Sequence, residues 1–401
     1  MFKKILKSYD YSLIIAIILL CLFGLIMIYS SSMVSAIQRY EVESDYFYQK
    51  QKISLILAAL IFIIVALFPY KALASNKILV PMVFFSLIGL AGLFVFGHVA
   101  GNAQSWIKIG SFRIQPSEFV KLGVIIYLSA VYAKKQNYIN EFDKGVAPPL
   151  VYLVLAFLLV AAQPDFGTAG IIFLIAVTII LSSGMNVKNI IRLITIGVLT
   201  LSPILFLMKD EIFSDKRIGR FIAFSDPFAV EQDWGFHLVN SYLAIGSGGI
   251  NGLGLGKSIQ KLGYLPESHT DFIMAIVAEE LGIWGVGFVI ISLGFIVLKG
   301  ILIGMRCKDP FGSLLAIGIS SMIGIQSFIN LAGISGLIPM TGVPLPFISY
   351  GGSSLLQLSI AMGILVNVSM FVNYEHKYKQ KQEKPKSEKK SIPSYKNTVR
   401  Y

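Results

Sequence analysis

About ten apolar runs, each roughly 16 to 27 residues long, recur from end to end of this chain and constrain it more than any other feature. They lie at 12–33, 53–69, 79–97, 118–133, 148–163, 166–184, 188–208, 272–298, 312–335 and 353–373. In hydrocarbon the backbone finds hydrogen-bond partners only within a helix or a closed barrel, and runs of this length fit the helix. The expected fold class is therefore an all-α integral membrane protein, a polytopic bundle of about ten transmembrane helices. With 55% hydrophobic and 14% charged residues, the chain has too much apolar surface for an ordinary soluble core. The run at 12–33 lacks a small-residue cleavage site and reads as a retained anchor. The runs at 118–133 and 148–163 are the shortest, and loss of either as a span would invert everything after it.

An even number of spans leaves both termini on one side. With the N-terminus inside, the short inner segments hold about 13 lysines and arginines, whereas the outer loops hold about 5: Arg39, Lys50, Lys52, Lys108 and Arg113. That asymmetry supports ten spans with both termini cytoplasmic. The division expected is a transmembrane domain over 1–373, interrupted by a large outer loop at 209–271, and a basic disordered tail over 374–401. Much of the net charge of +12 falls in that tail, where anionic lipid rather than nucleic acid is the expected partner. Cys21 sits in a span and Cys307 in an inner loop, so no disulfide framework is expected. The four histidines have no metal-ligand spacing.

The polar residues that could do chemistry gather in a few places. Between 209 and 271 hydropathy collapses over a stretch too rich in aromatics for a disordered loop, and Leu238 to Ile245 could lie along the interface as a helix. Lys216, Arg217 and Arg220 precede Asp226-Pro227; guanidinium forks suit a pyrophosphate, and interfacial snorkelling explains them equally well. Gly246 to Ser258 has nearly the spacing of a phosphate-binding loop, but Asn251 stands where that pattern needs glycine and no strand precedes it. A close-packed turn is the better expectation, with Lys257 and Lys261 still available to a phosphate.

Gln115-Pro116-Ser117-Glu118 opens the fourth run, where Glu118 and Lys121 share a face and either pair with each other or meet substrate. In Gln163-Pro164-Asp165-Phe166-Gly167, Asp165 is placed to cap the following helix. Pro346 to Ser354 leads into the last run, where helix-start N–H groups near Ser353 and Ser354 would favour an anion, a tight turn being as good a reading. Asp271 ends Pro266-Glu267-Ser268-His269-Thr270-Asp271 and runs straight into apolar sequence. On residues alone it is a helix cap or a catalytic carboxylate, with Glu267 and His269 as neighbours. Glu279 and Glu280 belong to a buried polar network or a cavity lining.

Taken in order, these segments resemble the SEDS proteins (shape, elongation, division and sporulation), most closely their Gram-positive division branch. The likeness runs through Trp106-Ile107 with Gln115-Pro116-Ser117-Glu118, Gln163 to Ala169, Ala244 to Gly249, Pro266 to Asp271 with Ala278-Glu279-Glu280-Leu281-Gly282, and Pro346 to Ser354. The resemblance implies a peptidoglycan glycosyltransferase that polymerises lipid II outside the bacterial cytoplasmic membrane at the septum. Its implied partners are a class B penicillin-binding protein transpeptidase and other divisome membrane proteins. It also implies that Asp271 is the general base, removing a proton from the acceptor sugar hydroxyl as undecaprenyl pyrophosphate leaves with inversion. A divalent cation, magnesium or manganese, is allowed, and no nucleotide is needed. Substrate contacts are expected from Trp106, Gln115, Glu118, Lys121, Asp165, Arg217, Arg220, Lys261, Glu267, His269, Thr270, Ser353 and Ser354.

Three positions depart from the pattern: Ser105 where members often carry Arg, His237 in place of Gln, and Gly263 where some division members have Glu. Two other classes of function also fit a ten-span chain. A flippase for the lipid-linked precursor would need ionisable residues at mid-membrane and on both faces, whereas the candidates here sit mostly at the outer ends of spans. A scaffold that only recruits a transpeptidase would tolerate loss of Asp271.

Overall fold

In the computed structural model, which describes residues 2–100, 103–110, 112–207 and 214–379, every one of the ten apolar runs is a helix. After a short α1 (Phe2–Leu6) come α2 (Tyr11–Tyr40), α3 (Tyr46–Leu67), α4 (Asn76–Phe96), α5 (Pro116–Lys134), α6 (Leu150–Ala161), α7 (Phe166–Ser182) and α8 (Val187–Leu207). Two shorter helices follow, α9 (Asp215–Ser225) and α10 (Phe236–Gly248). The chain then forms α11 (Ile273–Arg306), α12 (Pro310–Ile334) and α13 (Gly352–Tyr374). Residues 208–213, at the start of the expected outer loop, and 380–401, most of the expected tail, lie outside the described residues.

Among the described residues seven helices are long and apolar enough to cross a membrane; α6 and α7 are apolar but shorter. The 148–163 run yields only 12 helical residues, about 18 Å of rise, so α6 falls short of a full hydrocarbon thickness. Lipid contact and burial divide the bundle: 72% of the most apolar window is buried in α5 and 61% in α12, against 17% in α4. The interior helices approach closely where a side chain is missing. A Cβ on Gly300 would fall 1.9 Å from Ser320 Oγ, and one on Gly363 would fall 2.9 Å from Val65 Cβ, so these glycines set the α11–α12 and α13–α3 contacts.

The expected all-α fold needs one amendment. The segment between α4 and α5 forms a small antiparallel sheet in the order β1 (His98–Ala100), β2 (Ala103–Ile109), β3 (Phe112–Ile114). Lys108 pairs with Arg113, and Gly110 takes the positive φ (+59°) that the tight connection requires. β1 and β3, at three residues each, carry too little alternation to be read from sequence.

The ends of the spans can be matched by their contacts. Asn373 Nδ2 donates to the Ser8 carbonyl (3.1 Å), and Lys299 pairs with Asp10 (3.2 Å), so both ends of the described chain lie at one end of the bundle. At the opposite end of α2, Arg39 meets Glu267 at 3.2 Å. The Glu267–Asp271 turn therefore occupies the end away from the termini.

Candidate active site

The helix that carries this turn is two helices. α11 breaks at Gly282, whose φ of 60° and ψ of −151° only glycine adopts readily. From Ile283 to Arg306 the helix covers about 36 Å, enough to span by itself. The expected span start at 272 thus moves to 283, and Ile273–Leu281 becomes a half-helix nearly buried in protein. The break frees backbone carbonyls that must be paired away from water. Leu253 N donates to the Glu279 carbonyl and Gly254 N to the Glu280 carbonyl, each at 2.9 Å, while Ile283 N donates to the Ile250 carbonyl at 3.2 Å. The glycine-rich segment is a close-packed strap on a broken helix, as its lack of a preceding strand indicated. A Cβ on Gly252 would stand 2.3 Å from the Glu280 carbonyl oxygen.

Beneath the strap lies a buried network. Lys261 Nζ meets Glu280 Oε1 at 2.7 Å and donates to Ser30 Oγ at 3.0 Å; Ser30 Oγ donates to Glu280 Oε1 at 2.7 Å. Glu279 accepts from Ile259 N at 2.8 Å and from the Ser258 hydroxyl. Lys261, expected to touch a phosphate, is instead committed inside the protein: a buried ammonium is stable there because a carboxylate neutralises it. Glu279 and Glu280 take the network role expected of them.

The Asp271 turn is clamped from outside through its backbone. Asn330 Nδ2 on α12 donates to the carbonyls of Asp271 and Val343, both at 2.8 Å. Ser349 Oγ donates to the Thr270 carbonyl (2.7 Å), and Tyr350 N to the His269 carbonyl (2.9 Å). Glu267 sits at φ +58° and its carbonyl accepts from the N–H groups of Thr270 and Phe272. The Thr270 hydroxyl donates to Glu267 Oε2 at 2.8 Å.

The Asp271 side chain itself does not cap. Phe272 is the N-cap of α11, no side chain accepts there, and among the described residues nothing hydrogen-bonds the Asp271 carboxylate. Its Oδ2 lies where a Cβ on Gly342 would be 3.5 Å away, so a glycine keeps the approach open. Asp271 retains some accessible surface although protein packs round its carboxyl. Burial first, then the Glu267 carboxylate, push that carboxyl up to about 7, opposed by the Arg220 guanidinium. No N–H of the helix start reaches it to favour the ionised form.

His269 is packed inside the protein. It is 2% exposed, in ring contact with Phe47 (centroids 4.4 Å), Tyr40 and Tyr350, and burial pushes its imidazole down to about 4, so it packs as a neutral ring. His237 on α10 stacks on Phe272 (centroids 5.7 Å) and is likewise lowered by burial.

A second polar cluster holds most of the remaining expected residues. Asp165 caps α7, accepting from Thr168 N at 3.1 Å, and its other oxygen accepts from Gln115 Nε2 at 3.3 Å. Burial raises its carboxyl, and Glu118 and Lys121, paired at 2.7 Å, act on it electrostatically. Glu118 Oε2 is buried with no hydrogen-bond partner among the described residues. Ser353 donates to the Arg113 carbonyl (2.7 Å) and accepts from Gln115 N (3.2 Å), so its hydroxyl ties α13 to the β3–α5 connection rather than awaiting an anion. Ser354 is half-buried beside it, and Trp106 is half-buried on β2, paired with His98.

α9 connects the two clusters. Arg217 lies over the Phe166 ring at 4.1 Å and donates to the Pro164 carbonyl at 3.4 Å, beside Asp165. One turn on, Arg220 acts on Asp271 and, among the described residues, makes no hydrogen bond. The Thr341–Gly342 loop completes the link, with the Thr341 carbonyl 3.2 Å from a Cβ placed on Gly167. The clamping roles of Asn330, Ser349 and Arg39 were not legible in the sequence: each acts on a turn far away in the chain, and although Ser349 stands in the Pro346–Ser354 segment, nothing there points to Thr270.

Comparison with known proteins matches this arrangement to a family. A family model covering FtsW, RodA and SpoVE, described as cell cycle protein, matches residues 11–374. The chain is 60% identical over 394 residues to the probable peptidoglycan glycosyltransferase FtsW of Bacillus subtilis, covering 97% of this chain and 98% of that one. It is 37% identical to the stage V sporulation protein E of the same organism, over 92% and 98% of the two chains. RodA of Thermus thermophilus has the same fold at 22% identity, with a TM-score of 0.64 over 90% of this chain and 96% of that one. A chain from a peptidoglycan synthase complex superposes with a TM-score of 0.70 at 21% identity, over 91% and 98% of the two. The protein is a multi-pass membrane protein, and it belongs to the family of FtsW, RodA and SpoVE.

Proposed function

We propose that this protein is a peptidoglycan glycosyltransferase that polymerises lipid II at the outer face of the cytoplasmic membrane, with Asp271 as its general base. One observation carries the assignment: among the described residues Asp271 offers a carboxylate that no hydrogen bond occupies, beside a guanidinium that makes none, at the end of the bundle away from the termini. Likeness to a protein named as a probable peptidoglycan glycosyltransferase supports the reaction class. In the step we envisage, the acceptor hydroxyl oxygen attacks the anomeric carbon of the donor, its proton passes to Asp271, and the bond to the prenyl diphosphate breaks with inversion. A base with a pKa near the working pH does this well, contributing about 10²–10⁴ in rate. Arg220 faces the place where charge would develop on the leaving diphosphate, and Glu267, held by Thr270 and Arg39, keeps the base strong.

Among the described residues no three His, Cys, Asp or Glu side chains come together, so those residues alone form no complete metal cage. Asp271 and Glu267 would nonetheless supply the one or two carboxylates with which magnesium or manganese is held when substrate phosphates complete its shell. Bound there, the ion would neutralise leaving-group charge. We further propose cytoplasmic termini, from the lysine and arginine asymmetry, and a septal assembly with a class B penicillin-binding protein and other divisome proteins. Likeness to a chain of a peptidoglycan synthase complex supports such a partner.

The test is purified protein with lipid II, alone and with its cognate penicillin-binding protein. Glycan polymer is the expected product. Transport of lipid II across a vesicle membrane without any polymer would overturn the reading in favour of a flippase.

A further inference from the structure

α9 has three faces, and only two are accounted for. Gly219 and Ala223 turn inward: a Cβ on Gly219 would sit 2.3 Å from the Trp234 ring, and Ala223 is 4% exposed. Arg217 and Arg220, three residues apart, form the face toward Asp165 and Asp271. Ile218, Phe221, Ile222 and Ser225 form the third stripe at i, i+3, i+4 and i+7, and the first three are 42%, 63% and 46% exposed. That stripe lies open on the surface rather than against the rest of the bundle. With Asp226 and Ala229 of the turn that follows, it lines a shallow, open groove of about 420 Å³ with almost wholly apolar walls.

We propose that this groove is the subsite for the polyprenyl chain of the lipid-linked donor, an inference that rests on the glycosyltransferase reading above and extends it. A prenyl diphosphate joins a dianionic head directly to a branched hydrocarbon, and α9 presents a guanidinium without a hydrogen bond among the described residues and an open apolar groove on neighbouring stripes of one helix. A diphosphate drawn to Arg220 at the Asp271 carboxylate leaves its first isoprene units beside Phe221 and Ile222. The chain enters from the bilayer, so its hydrocarbon must cross the outer rim of the bundle, and α9 lies at that rim between the two carboxylate clusters. A groove that grips the chain would make the enzyme prefer long prenyl donors over short ones.

The test compares wild type with the double variant Phe221→Ser, Ile222→Ser, using donors with about eleven and about three isoprene units. Each side chain withdrawn from apolar contact costs on the order of tenfold, so we expect the long-over-short preference in kcat/KM to fall about tenfold or more. Phe221→Leu, which keeps apolar contact, should restore most of it. An equal loss on both donors would overturn the subsite, since that is the result if the stripe only rests in bulk lipid. A second readout does not need turnover: a photoreactive prenyl diphosphate should label α9 and be displaced by undecaprenyl diphosphate but not by phosphatidylglycerol. Labelling elsewhere, or equal displacement by both lipids, would overturn it as well. If wild type makes no polymer, the reaction class fails while the labelling still decides the subsite.

Discussion

Glu280 and Asp271 sit at opposite ends of the same half-helix, and the protein treats them in opposite ways. Glu280 is fully buried, with Lys261, Ser30 and the backbone of Ser258 around its oxygens. Asp271 has its backbone carbonyl clamped by Asn330, while its carboxylate is left without a hydrogen bond among the described residues. A carboxylate whose lone pairs are filled holds structure together; one whose neighbours are fixed but whose own oxygens are idle is kept for something that arrives. The network on one side is what allows the idleness on the other, because the strapped half-helix and the clamped turn hold Asp271 without using its side chain.

Breaking the network should produce the largest change in stability. Glu280→Ala leaves the Lys261 ammonium buried and unpaired, an expected loss of about 3–5 kcal/mol. It should appear as a fall in Tm in detergent, and Glu280→Leu with Lys261→Met should recover much of it. Gly282→Ala comes next. Its φ of 60° and ψ of −151° are closed to alanine, and the new Cβ would meet the Ile250 carbonyl at 2.4 Å, so a loss of about 1–3 kcal/mol or more is expected. An unchanged Tm would mean that the break is not needed.

The Asp271 side of the comparison predicts smaller and oppositely signed effects. The Asp271 carboxyl, about 3.9 in an unfolded chain, lies at about 7 in the fold. Between those values the fold keeps a proton that the unfolded chain has released, so stability falls as pH rises through that window and stays lower above it. Asp271→Asn removes the cost. Its Tm advantage over wild type should vanish below about pH 4 and be greatest above about pH 7; a Tm lower than wild type at alkaline pH would show that the carboxylate has a structural role. Glu267→Gln should shift the acid limb of the polymerisation rate to lower pH, since Glu267 is one cause of the raised value. A shift to higher pH would contradict the arrangement.

Much of this was legible in the chain because lipid is a strict solvent. All ten apolar runs became helical, though several ends moved by seven or eight residues and one helix broke at Gly282, since a helix is what satisfies the backbone there. The break at Gly282 was not legible: Glu279-Glu280-Leu281-Gly282-Ile283-Trp284 reads as continuous helix, and only the distant Ile250–Gly254 strap makes the break affordable. The buried pairing of Lys261 was hidden for a similar reason, its partners Ser30 and Glu280 being remote in sequence. Asp271 could be a cap or a base on residues alone, and it was the resemblance, not the spacing, that favoured the base. The structure adds the missing distinction by showing the cap position without it.

The most direct measurement is lipid II polymerisation by purified Asp271→Asn against wild type, with Tm recorded on the same preparations. The amide keeps the shape of the side chain and removes its ability to take a proton. The account predicts a rate lower by about 10²–10⁴ in a protein at least as stable as wild type. Polymer formed by Asp271→Asn at the wild-type rate would contradict it.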